Sequence, residues 1–171
     1  MKGYIQVYTG NGKGKTTASL GLAIRAAGAG LKVYIAQFLK QGDYSEIKAL
    51  KRFSDLITVK QYGLGRFVNG NPSDDDKIAG KKGLEDVVKI LFAGKHDLVI
   101  VEEGNTAVMC NLFPVQELLD LIDVKPDNVE LVITGRGADL KVIKKADLVT
   151  EMKEIKHYFS KGVKARVGIE K

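Results

Sequence analysis

Tyr4-Ile5-Gln6-Val7-Tyr8-Thr9-Gly10-Asn11-Gly12-Lys13-Gly14-Lys15-Thr16-Thr17 is the stretch that decides the fold. An apolar, strand-like run at Tyr4–Tyr8 breaks into glycines. It then restarts at Lys15 as a helix with Leu20, Ala23, Ile24 and Ala27 on one face. Strand, glycine-rich turn and helix in that order form a phosphate cradle. The glycines let backbone N–H groups turn inward, and the helix N-terminus favours an anion. Gly12, Gly14, Lys15 and Thr16 fit the Walker A logic, with Lys15 as a point charge on the phosphates and the Thr16 hydroxyl as the expected Mg²⁺ ligand. The pattern ordinarily opens on glycine. Here Thr9 stands in that place, so the loop is a variant. Lys15 is read as a surface-facing phosphate ligand.

Outward from the loop, strands and helices alternate. Val33–Phe38 and Ile57–Tyr62 read as strands, with a short helix near Ser45–Phe53 between them. Leu98-Val99-Ile100-Val101 and Leu131-Val132-Ile133 are unbroken apolar runs, as expected of parallel strands buried on both faces. Helices are expected after Pro72 and Pro114, and near Leu140–Ala146, before a last extended piece at Leu148–Met152. The alternation predicts an α/β fold over residues 1–171: one doubly wound domain with a mostly parallel sheet, a three-layer sandwich of the P-loop NTPase (RecA-type) kind. Gly63–Ser73 is the longest expected loop.

Ligands in such sheets bind at the carboxyl ends of the strands. Glu102-Glu103 ends one buried strand, at the place where a carboxylate holds Mg²⁺ or its waters, or acts as a base. Glu102 is expected as the metal ligand beside Thr16. Thr134-Gly135-Arg136-Gly137 ends another, and Arg136 there would neutralise developing charge on phosphate. Phe67, in the glycine-rich loop, stacks on a planar ligand or simply pins the loop; the residues leave both open. His157 reads as structural.

The chain has 171 residues, 44% hydrophobic and 28% charged, enough for a sizeable core. Its single cysteine, Cys110, cannot staple the fold; it reads as a small core residue, and a reducing, cytoplasmic compartment is expected. The net charge of +6 permits an anionic partner, but the lysines are dispersed, with no basic patch interleaved with aromatics, so nucleic acid is not expected. No run approaches membrane-span length, so no membrane partner is expected.

Several stretches together resemble the P-loop type of ATP:corrinoid (cob(I)alamin) adenosyltransferases. They are Thr9–Thr17, Gln37-Phe38-Leu39-Lys40, Leu98–Asn105, Val132–Gly137, Ala146–Met152, and the ending Lys156-His157, Gly162–Ala165 and Gly168-Ile169-Glu170. The resemblance covers nearly the whole chain. It implies transfer of the 5′-deoxyadenosyl group of ATP to Co(I) of a corrinoid such as cob(I)alamin, with release of triphosphate. It also implies Mg²⁺ dependence, a homodimer, and a reductase that delivers the electron. On that reading Lys15, Glu102 and Arg136 stabilise the leaving triphosphate. Thr9, Gly10, Asn11, Gly12, Lys13, Gly14, Lys15, Thr16 and Thr17 hold the nucleotide, and Phe67 in a lid at 63–73 contacts the corrin. The chain departs from the family pattern at Glu102, where an aspartate is usual, and at Gly104, where a hydrophobic residue is usual. Two other readings stay open: a small ATPase or kinase with Glu103 as base, and a carrier that binds ATP or corrinoid without turnover.

Overall fold

The computed structural model describes residues 2–68 and 70–171; Asn69, in the expected lid, lies outside them. The described elements, in chain order, are β1 (Ile5–Thr9), α1 (Lys15–Gly28), β2 (Val33–Phe38), α2 (Ser45–Leu50), β3 (Ile57–Tyr62), α3 (Asp74–Ala93), β4 (Leu98–Glu102), α4 (Gly104–Met109), α5 (Val115–Asp123), β5 (Glu130–Thr134), α6 (Leu140–Lys145) and β6 (Leu148–Glu151). Short 3₁₀ turns occupy Lys51–Phe53 and Tyr158–Lys161.

The six strands form one sheet in the order β3-β2-β4-β5-β1-β6. Every described pairing is parallel, so the sheet goes further than the mostly parallel one expected. Register is set by apolar partners such as Ile35 with Ile100, Ile100 with Val132, and Val7 with Ile133. Side chains along a strand alternate between faces, and each face has its own core. Val99, Val101, Leu131 and Ile133 pack with Val87 and Leu91 of α3, Leu118 of α5 and Val142 of α6. Leu98, Ile100, Val132, Val33 and Ile35 pack on the other side with Leu20, Ala23 and Ala27 of α1 and Leu50 of α2. The sheet is thus the middle of three layers.

Local chemistry fixes the helix that borders the longest loop. The Ser73 hydroxyl accepts from the Asp76 N–H at 3.3 Å while the Asp76 carboxylate accepts from the Ser73 N–H at 2.8 Å, a reciprocal cap on α3. Arg66 donates to the same Asp76 carboxylate and so ties the loop to the helix start. α3 then lies close against the sheet, because a Cβ at Gly83 would come within 2.6 Å of the Phe38 ring. No described helix is long and apolar enough to cross a membrane.

Candidate active site at the phosphate loop

β1 ends at Thr9, and the chain reaches α1 through Gly10–Gly14. Gly10 and Gly14 have φ of 95° and 123°, a region side chains disfavour. The loop also lies against the segment after β6. The Gly12 N–H donates to the Met152 carbonyl at 2.7 Å, and a Cβ at Gly10 would meet that oxygen at 2.4 Å. Glycine is therefore required on both sides of the loop, once for backbone shape and once for clearance.

The loop walls a cavity of about 670 Å³. Asn11, Gly12, Lys13, Gly14, Lys15, Thr16, Thr17 and Arg136 all line it, as the sequence led us to expect. Thr9 and Gly10 do not. The Thr9 hydroxyl accepts from the Ala138 N–H at 3.3 Å, tying β1 to the turn after β5. Lys15 departs from expectation in one respect: it is 8% exposed rather than surface-facing. Its ammonium is folded into the loop, donating to the Gly10 carbonyl at 2.6 Å and the Gly12 carbonyl at 2.8 Å. Burial lowers its pKa, Glu103 nearby works the other way, and Arg136 adds to the lowering. The charges of Glu103 and Arg136 therefore both act on the phosphate-loop lysine.

The two acids at the end of β4 divide. Glu102 is fully buried and does not line the cavity. One of its oxygens accepts from the Gln37 amide and the other from the Lys40 ammonium at 2.8 Å, so both are engaged by protein. Glu103 lines the cavity instead. It sits at φ 59°, a left-handed turn that re-aims the chain into α4. Its N–H donates to the Thr134 hydroxyl at 3.1 Å, and its carboxylate accepts from the Thr106 hydroxyl. Thr106 in turn accepts from the Arg136 N–H at 3.0 Å, so the ends of β4 and β5 are fastened together.

Phe67 is 91% exposed and does not line this cavity. Its loop leaves β3, four strand positions from β1, or ~19 Å at the usual strand spacing. Both lie at the carboxyl edge of the parallel sheet. The neighbouring Val68 packs on the core and its carbonyl faces the buried Cys110 thiol at 3.7 Å, so this part of the loop is anchored.

Several lining residues were not among the expected site residues. Lys40 after β2, Glu46 and Ala49 of α2, and the tail Gly168–Lys171 all face the cavity. Lys13 donates to the Glu170 carboxylate at 2.8 Å and the Ile169 carbonyl at 3.0 Å, while Ser45 of α2 donates to the Lys171 carbonyl at 2.9 Å. The tail therefore reaches from the phosphate loop to α2. Arg166, Lys13 and Tyr158 hydrogen-bond to Glu170 and hold its carboxyl well below the usual carboxylate range. His157 also lines the cavity, with Nδ1 accepting from the Phe159 N–H at 3.1 Å. A strand-to-helix pattern carries no signal for such a tail; only the resemblance had marked it.

Residues 1–170 match the family described as ATP:corrinoid adenosyltransferase BtuR/CobO/CobP. The chain belongs to that family. It is 32% identical over 169 residues to the corrinoid adenosyltransferase of Escherichia coli, covering 99% of this chain and 86% of that one. The protein of that name from Pseudomonas aeruginosa is 32% identical over 170 residues, covering 99% and 84%. Corrinoid adenosyltransferase CobA of Salmonella typhimurium is 33% identical over 176 residues, covering 99% and 86%. The match spans the phosphate loop, the β4 and β5 ends and nearly all of the tail, which are the elements that wall the cavity.

Proposed function

We infer that the chain transfers the 5′-deoxyadenosyl group of ATP to the Co(I) of a corrinoid, releasing triphosphate. The observation that carries this reading is the cavity, where a phosphate loop, Lys13, Lys15, Lys40 and Arg136 converge in a chain that belongs to the adenosyltransferase family. A bond forms between cobalt and C5′, the C5′–O bond breaks, and its electron pair leaves on the triphosphate. The nucleophile is the substrate metal itself, so the protein's contribution is to position ATP and stabilise the departing charge. Lys15 and the loop N–H groups receive the triphosphate, and Arg136 neutralises charge at its other side.

Mg²⁺ fits this site by its oxygen donors. The Thr16 hydroxyl and the Glu103 carboxylate line the same cavity. Among the described residues no cluster of three His, Cys, Asp or Glu forms a closed cage. That suits an ion held by one or two protein oxygens plus substrate phosphates. Bound there, Mg²⁺ would offset phosphate charge. Glu103 thereby takes the place expected of Glu102.

The finer assignments follow the same reading. Phe67 contacts the corrin, an exposed aromatic at the carboxyl edge being suited to that face. A homodimer is supported by the β6 edge, where Leu148 and Val149 are exposed. A reductase supplies the electron that makes Co(I), in the reducing cytoplasm with which the lone buried Cys110 agrees. One observation favours the phosphoanhydride-cleaving alternative, namely Glu103 in the cavity, where it would serve as base. Anaerobic mixing with MgATP and chemically reduced cob(I)alamin separates the two. A light-sensitive cobalt–carbon spectrum with stoichiometric triphosphate is expected; ADP and phosphate without adenosylation would replace this reading with an ATPase.

A further inference from the structure

Gln61, Gln37 and Glu102 are register partners on β3, β2 and β4, so they stand in a row across the carboxyl end of the sheet. The row is joined end to end. The Gly42 N–H donates to Gln61 at 3.1 Å, the Gln61 amide donates to Gln37 at 3.0 Å, and the Gln37 amide donates to one Glu102 oxygen. The other Glu102 oxygen accepts from Lys40 at 2.8 Å. Glu102 is fully buried, whereas the Lys40 side chain is 21% exposed and lines the phosphate-loop cavity. The row thus ends on an ammonium in the wall of that cavity.

A buried carboxylate is costly to keep, and an apolar pair could tie two strands together as well. What the Glu102–Lys40 pair adds is a fixed cation. An ammonium has three donors. One goes to Glu102, and Glu46, at 3.9 Å, is a charged neighbour beyond hydrogen-bond reach. Donors therefore remain for a ligand. Burial works against the Lys40 charge, but Glu102 beside it and their hydrogen bond, with Glu103 and Glu46, outweigh this and raise its pKa.

We propose that Lys40 is a second phosphate-binding cation of the site, which pairs with the triphosphate together with Lys15, and that Glu102, held by Gln37, is its positioning residue rather than a metal ligand. The proposal rests on the adenosyl-transfer reading only for naming triphosphate as the leaving group. When the C5′–O bond breaks, the triphosphate gains one negative charge, and a cation already in place stabilises it without reorganisation.

The competing view is an ion pair that merely fastens β2 to β4. The double variant Lys40→Met/Glu102→Gln separates them, because it removes both charges together and leaves an amide for Gln37. Binding of inorganic tripolyphosphate is measured by calorimetry, alongside a thermal melt. The expected result is a near-normal melt with affinity reduced about tenfold to a hundredfold, the worth of one charge-assisted hydrogen bond. Lys40→Gln alone, whose amide still donates to Glu102, should show the same fall and serves if the double variant does not fold. Glu102→Gln alone, which leaves Lys40 its charge but not its charged anchor, should weaken tripolyphosphate by less than the Lys40 variants do and lower kcat, while the Mg²⁺ concentration for half-maximal rate stays put. Unchanged tripolyphosphate affinity in the Lys40 variants, with Lys15→Ala weakened, overturns the role of Lys40 alone. Unchanged affinity in all of them overturns the phosphate site itself. A shifted Mg²⁺ requirement in Glu102→Gln overturns its positioning role.

Discussion

Truncating Lys15 to alanine separates what the phosphate loop does for stability from what it does for turnover. The ammonium donates to the Gly10 and Gly12 carbonyls at 2.6 and 2.8 Å. Its removal costs two charged hydrogen bonds but also relieves the burial that lowers its pKa. The two hydrogen bonds, at about 1.5–3 kcal/mol each, are largely offset by the cost of holding an ammonium out of water, so the net change is on the order of 1 kcal/mol. The melting temperature should therefore move by no more than ~4 °C, since each kcal/mol is worth ~2–4 °C in a chain of this size. Binding behaves differently. ATP at a hundred times its Kd stabilises the wild type by ~2.7 kcal/mol, a rise of ~5–11 °C. Without Lys15 most of that rise should vanish. Turnover should fall ~10²–10³-fold, the usual loss when a preorganised group on developing charge is removed. Differential scanning fluorimetry with and without MgATP, together with the anaerobic adenosylation assay, reads both effects. A variant with the full ATP-induced rise and a rate within about tenfold of wild type would show that the triphosphate does not bind at this loop.

Two further outcomes are expected. Phe67→Ala should leave the melting temperature unchanged, since the ring is 91% exposed, and should raise KM for the corrinoid while KM for ATP stays fixed; equal changes in both would remove Phe67 from the corrin face. Asp86 gives a pH dependence. Burial would raise its pKa, but hydrogen bonds from Lys60, Lys82 and Tyr62 hold it down to about 2, below its ordinary 3.8. A depressed carboxyl contributes stability that is full above its ordinary pKa and is lost as the pH falls through about 2. Between those values wild type should lose roughly 1 kcal/mol more than Asp86→Asn, water screening limiting the effect; parallel acid-unfolding curves would contradict it.

The layered architecture was legible because β4 and β5 are unbroken apolar runs, and because Tyr4–Thr17 carries both a strand and a phosphate loop. Less legible was anything set by contacts distant in sequence. The adjacent Glu102 and Glu103 look alike in sequence. Strand parity places Glu102 with Gln37, and the left-handed turn at Glu103 releases that residue into the cavity. α4, six residues opening on glycine, is too short for a periodic signal. Lys15 is buried because its own loop accepts it, which spacing alone does not reveal. Lys40 belongs to a stretch that resembles the family, yet its place in the cavity wall follows from the in-register row across three strands that ends on it.

The strand order has a consequence for how the molecule comes into being. β2, β3 and β4 are neighbours both in the sheet and in the chain. β1 precedes the other described strands in the chain, yet its described partners are β5 and β6, through pairs such as Val7 with Ile133 and Val149. Emerging from the ribosome, β1 must wait for more than a hundred further residues before it has a neighbour, with its apolar side chains uncovered meanwhile. Such distant pairings are slow to close and leave strand edges open to other chains. The phosphate loop hangs from β1, so nucleotide can be gripped only once β5 and β6 have been made, and ATP supplied during refolding should speed a late step rather than an early one.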